Sequence, residues 1–137
     1  MEKMQNEPRI HFVLEASISP SEDPEKVAAA IRTIAPNAGD VQISGRKASL
    51  RSESTTGLLY LMEQLRDRHI RTAARRSMVL ARQGKTTTIL FNRQAAAAGV
   101  IALCGNPRES PLGPIVLIVE SDELDHLMDW LSGPSPG

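Results

Sequence analysis

The chain has 137 residues, 16 basic and 16 acidic side chains, no formal net charge and one cysteine, with 41% hydrophobic residues. That length suits one domain whose core needs no covalent or metal staple, and a lone cysteine builds neither a disulfide framework nor a zinc site. A zero net charge argues against coating nucleic acid by bulk charge, and the hydrophobic fraction argues against global disorder.

In chain order, Met1 to Arg9 lack an apolar run and read as a flexible N-terminus without a signal peptide. Ile10, Phe12, Leu14 and Ala16 alternate and predict a strand. Asp23 then stands where an N-cap belongs, followed by Pro24 at the first helical position and Glu25 in the first turn. Val27, Ile31 and Ile34 continue at helical spacing, and Pro36 sets the stop near Ala35. Two short strands, Val41 to Ile43 and Ala48 to Arg51, flank Gly45-Arg46 as a hairpin. Ser54 or Thr55 can cap a second helix with Leu58, Leu61, Met62 and Leu65 on its apolar stripe.

Helical character continues from Ile70 through Arg76 towards Gly84, with a break near His69 as an alternative to one long helix. Thr86 to Phe91 is β-branched and aromatic, hence a strand. The run Ala95 to Cys104 is helix-neutral at its start and strand-like at Gly99-Val100-Ile101; Cys104 reads as a small buried hydrophobe. Ile115 to Val119 is apolar without alternation and predicts a strand buried on both faces. Ser121 or Asp122 caps a last helix over 123–131, with Leu124, Leu127, Met128 and Leu131 facing inward, and 132–137 reads as a flexible tail. The order β-α-β-β-α-α-β-β-β-α predicts an α+β domain over 10–131, with a mixed or antiparallel sheet and helices packed on one side.

Charge is segregated. Residues 64–108 hold nine basic residues against the single acid Asp67, a net of +8, whereas 109–137 carry −6. This points to an anionic partner for the middle or to an internal match between middle and tail. On one continuous helix Arg68, Arg71, Arg75 and Arg82 would fall within about 60° of one another at 100° per residue. Ile70, Ala73, Ala74, Ser77 and Ala81 would lie opposite. Guanidinium forks match phosphate geometry, so the row, assisted by Lys85 and Arg93, is the candidate nucleic-acid-binding surface. The competing reading pairs the row with Glu123, Asp125 and Asp129. Two Phe, one Tyr and one Trp offer little stacking surface, which favours structured or duplex RNA over single strands.

No Walker, dinucleotide or zinc motif occurs. His11, His69 and His126 have no ligand spacing, and Glu22/Asp23 sit where helix-capping carboxylates belong. Ser110-Pro111-Leu112-Gly113-Pro114 reads as a rigid connector, and Ser110 has no base near it in sequence. The expectation is a cytoplasmic, non-enzymatic protein without metal or cofactor. A pocket uniting Arg75, Gln94 and Ser110 would argue otherwise.

Several segments together resemble a known family: Ile18 to Val27, Ala74-Arg75, Asn92 to Gly99, Ser110 to Ile115 and Trp130-Leu131. They are similar to an uncharacterised conserved family of small archaeal proteins placed in a predicted RNA-binding superfamily, beside exosome-associated proteins. The resemblance covers about residues 10–131, and Ser110-Pro111-Leu112-Gly113-Pro114-Ile115 is its most specific piece. It implies a cytoplasmic homodimer, a fold similar to the ribosomal protein that binds 5S ribosomal RNA, and no enzyme activity. The chain departs from the family pattern after Leu131, where Ser132-Gly133-Pro134 follows. The two functional expectations are RNA binding through the arginine-rich helical face, or a protein-interaction or homodimeric assembly module whose basic face meets an acidic partner.

Overall fold

The computed structural model describes residues 9–105 and 112–133. The elements are β1 (His11–Ser17), α1 (Pro24–Ile34), β2 (Gln42–Ser44), β3 (Lys47–Ser52) and a 3-10 turn (Thr55–Leu58). Then follow α2 (Leu59–Asp67), α3 (Arg71–Ala81), β4 (Thr86–Phe91), α4 (Arg93–Ala97), β5 (Ile115–Glu120) and α5 (Leu124–Ser132). The strands form one antiparallel sheet in the order β2-β3-β1-β5-β4. The α+β class and its element order are those the sequence predicts. The one departure lies between β4 and β5, where the short α4 stands and the strand expected from Gly99 onward is reduced to a bridge between Phe91 and Leu103.

Local chemistry sets the boundaries. Asp23 accepts the Glu25 N–H (3.0 Å) and caps α1 over Pro24. Ser54 accepts the Thr56 N–H and opens the 3-10 turn that leads into α2. Asn92 caps the short α4 by accepting the Ala95 N–H (2.9 Å). Ser121 accepts the Glu123 N–H (3.0 Å) just before α5 begins. The C-terminal helix extends one residue beyond its expected end: Ser132 is buried and donates to the Met128 carbonyl (2.7 Å). The rest of the expected tail, 134–137, and the N-terminal residues 1–8 lie outside the described residues, as do Ser110 and Pro111.

Alternate strand residues face one core. Phe12, Leu14, Ala16, Ala48, Leu50, Ile89, Phe91, Ile115, Leu117 and Val119 pack with buried residues from all five helices in a single cluster. Burying such side chains, each contributing about 1.5–3 kcal/mol, supplies the main stabilising term. The opposite face of the sheet stands outside that cluster. This corrects the expectation that Ile115 to Val119 is buried on both sides: Val116 and Ile118 are only partly covered. Their strand lacks polar alternation because the uncovered face is itself apolar.

Candidate functional site

The predicted arginine row depends on an unbroken helix, and the backbone breaks it. Arg68 ends α2, His69 adopts φ 59°, and α3 begins at Arg71. The Ile70 N–H reaches the Leu65 carbonyl (3.0 Å) and the His69 N–H reaches the Arg66 carbonyl (3.1 Å). That pair of bonds is a Schellman stop, with histidine in the left-handed position that glycine usually fills. Residues 64–83 therefore form two helices, and Arg68 leaves the row. The buried stripe of α3 also differs: Ala74 and Met78 are its fully buried residues, and Ala73 is exposed.

Three of the remaining cations meet the protein's own acids. Arg75 Nη1 donates to Asp129 Oδ1 (2.6 Å) and to the Gly133 carbonyl (3.0 Å). Arg82 Nη1 donates to Asp125 Oδ1, and its Nε to the Gly84 carbonyl (3.1 Å). Lys85 Nζ donates to Asp122 Oδ1 (2.8 Å). The pairs descend in sequence along α5 as they ascend from α3 to β4, so the two runs form an antiparallel ladder. The hydrogen bond to Asp122, and then its charge, raise the Lys85 pKa; the same contact lowers that of Asp122. The internal match between middle and tail is thus the arrangement observed for Arg75, Arg82 and Lys85.

Arg93 is withdrawn from the surface. It is 5% exposed at the start of α4. Its Nη2 donates to Glu22 Oε1 (2.9 Å) and Oε2 (3.1 Å) and to the Ser17 carbonyl, and its Nη1 to the Leu112 carbonyl (3.0 Å). The side chain ties the end of β1, the approach to α1 and the entrance to β5, so its role is structural. Glu22, read from sequence as a capping acid, is its counter-ion and also accepts the Ser19 N–H (2.8 Å). An arginine one residue ahead of four alanines is the only hint of this burial in the sequence.

Arg71 stays exposed, and its guanidinium lies over Gly133: a Cβ there would sit 3.1 Å from Arg71 Nη1. Among the described residues Arg68, Arg71 and Arg76 form no ion pair, and Arg66 reaches only its neighbour Asp67 (3.5 Å).

A cavity of about 400 Å³ between α1 and α4 is lined by Glu22, Lys26, Val27, Arg93, Gln94 and Leu112 among others. Gln94 is not joined there by Arg75, which lies on the α5 side, and Ser110 falls outside the described residues. Among the described residues no three His, Cys, Asp or Glu side chains are grouped to hold a metal ion, and no helix is long and apolar enough to cross a membrane.

The uncovered sheet face is the other distinctive surface. Strand register aligns Arg51, Val13, Ile118 and Thr88 in one row and Ser49, Glu15, Val116 and Leu90 in the next. Val13, Ile118, Thr88, Val116 and Leu90 form its apolar centre. Around them stand Arg51, Lys47, Glu15, His11 and Glu120, with Lys47 paired to Glu15 (3.0 Å).

No family model matches the chain. A UPF0201 protein of Sulfurisphaera tokodaii is 37% identical over 125 residues, covering 88% of this chain and 86% of the relative. A crystal structure of a UPF0201 protein superposes with TM-score 0.75 at 28% identity, covering 93% and 97% of the two chains. The UPF0201 structure from Methanococcus jannaschii, at 22% identity and TM-score 0.74 over 93% and 96%, shares the fold. With that similarity running through nearly the whole α+β domain, the chain belongs to the archaeal UPF0201 family.

Proposed function

We propose that this protein is a non-catalytic assembly module that works as a homodimer joined through the open face of its sheet. The observation behind this reading is the contiguous patch Val13, Leu90, Val116 and Ile118, which no helix among the described residues covers. Val13 is buried within the single chain, and Leu90, Val116 and Ile118 are half-buried. An apolar centre inside a polar rim is the anatomy of an association surface. A second copy is the favoured occupant because the rim carries both signs, Arg51 and Lys47 against Glu15 and Glu120, so the face meets opposite charges on its own duplicate. The basic face, by contrast, already meets acids within the chain.

Light scattering on the eluting protein tests this. The expected mass is twice the 14.9 kDa of one chain, falling to one chain in Ile118→Arg, a change on a partly exposed face that leaves the core untouched. The dimer should persist in high salt, because apolar contact holds it. A wild-type protein that elutes as a monomer at micromolar concentration sinks the reading.

A second reading, RNA contact, rests on Arg68, Arg71 and Arg76, the cations that the ladder leaves unpaired around the α2–α3 corner. Contact with two or three duplex phosphates gives a log–log salt slope of about −2 to −3. Titrating a structured RNA hairpin at two salt concentrations, against the triple Glu variant of these residues, checks it; binding indifferent to salt or to the triple change counts against it.

A further inference from the structure

Beside the α2–α3 corner lies a notch of about 230 Å³ lined by Met62, Arg66, Arg71, Asp129, Trp130 and Leu131, with Gly133 at its edge. Its walls differ in chemistry. Trp130 is half-buried and packed against the core, as is Met62, and Leu131 is fully buried, so one side is apolar and aromatic. The other side carries two guanidinium groups. Arg71 has no carboxylate partner among the described residues, and its head lies beside the Gly133 backbone. The acid in the notch, Asp129, is already neutralised by Arg75 at 2.6 Å. The lining therefore keeps a positive excess beside an indole.

We propose that this notch binds a nucleoside phosphate, with the base against Trp130 and the phosphate held by Arg66 and Arg71. Aromatic rings accept any base through its π-face, and guanidinium forks accept phosphate oxygens in pairs. The volume is below the ~300–1,000 Å³ usual for whole small-molecule pockets, so the notch takes no more than one nucleotide and no strand. Glycine at 133 is part of the design: its φ of +81° and the space a Cβ would take from Arg71 both favour a residue without a side chain. The ligand can be a free mononucleotide or the terminal nucleotide of an RNA, and the site rests on the RNA reading only for the second of these.

Trp130 is the only tryptophan in the chain, so its fluorescence reports on the notch alone. Titration with adenosine 5′-monophosphate should give saturable quenching, with adenosine and inorganic phosphate each weaker by about tenfold or more, the effect of losing one good contact. Arg71→Ala and Arg66→Ala, both at exposed positions, should each weaken the nucleotide by a similar factor. Absence of saturable quenching, equal binding by phosphate alone, or binding unchanged in both variants overturns the proposal. An RNA arm separates the two readings. Salt-dependent hairpin binding without any nucleotide response sinks the notch and keeps RNA contact, and nucleotide quenching without hairpin binding does the reverse. Quenching by the hairpin that a free 3′-terminal mononucleotide competes away places an RNA end in the site.

Discussion

The two ionic regions of this protein use the same residue types for different ends. In the knot around Arg93, one guanidinium with 6% of its side chain exposed engages a carboxylate and two backbone carbonyls from three separate segments. In the ladder between α3 and α5, the pairs lie progressively further out: the Arg75 side chain is 18% exposed, Arg82 37% and Lys85 67%. Coulomb attraction between exposed ions is largely cancelled by water, whereas a buried charge left without its partner has nothing to replace it. The lesson is that depth, and not the number of charges, decides whether a cation is a structural part or a surface ornament.

Removing charges in order of depth should reproduce that gradient. Arg93→Met leaves Glu22 and two carbonyls facing a buried void and should cost about 3–5 kcal/mol, the range for breaking a buried pair, read from urea unfolding. A loss below that of Arg75→Met would erase the distinction between knot and ladder. Arg75→Met removes a charged hydrogen bond to Asp129 and one to Gly133, a loss of roughly 1–2 kcal/mol given partial exposure. Arg82→Met should cost at most about 1 kcal/mol, and less in high salt.

Lys85→Met, the outermost change, should lower the melting temperature least of the four while moving one titration. In the wild type the Asp122 carboxyl titrates below its ordinary value, held there by Lys85, whose own pKa is raised. The lowered Asp122 value gives a contribution present above the unfolded pKa and lost as pH falls through the folded one. The raised Lys85 value gives one present below the unfolded lysine pKa and lost as pH rises through the folded one. The pair is therefore intact across neutral pH. Carboxyl NMR of Lys85→Met should show the Asp122 midpoint rising towards the ordinary aspartate value, and a midpoint that stays low would reassign the cause of the shift.

The sequence discloses local features well and distant encounters poorly. Asp23-Pro24, Asn92 and the alternation of Phe12, Leu14 and Ala16 act over a few residues, so their consequences can be read directly. The stop at His69 is open in the sequence as an alternative to one long helix, because no glycine at 66–70 marks a helix end. The ladder was visible as one of two alternatives from the charge segregation, but choosing between them required the packing of α5 on α3. Arg93 misled because its partners Glu22 and Leu112 lie 71 and 19 residues away. The unalternating Ile115 to Val119 run misled in the opposite sense, since an apolar outer face looks in sequence like a second buried one.

The position of β1 governs when this molecule can take shape. Strand β1 lies in the middle of the sheet and is flanked by β3 and by β5, the last of the five described strands in sequence. A growing chain on the ribosome therefore leaves one edge of β1, the backbone of Phe12 and Leu14 included, unpaired until β5 has emerged. Sequence-distant pairing of this kind slows folding.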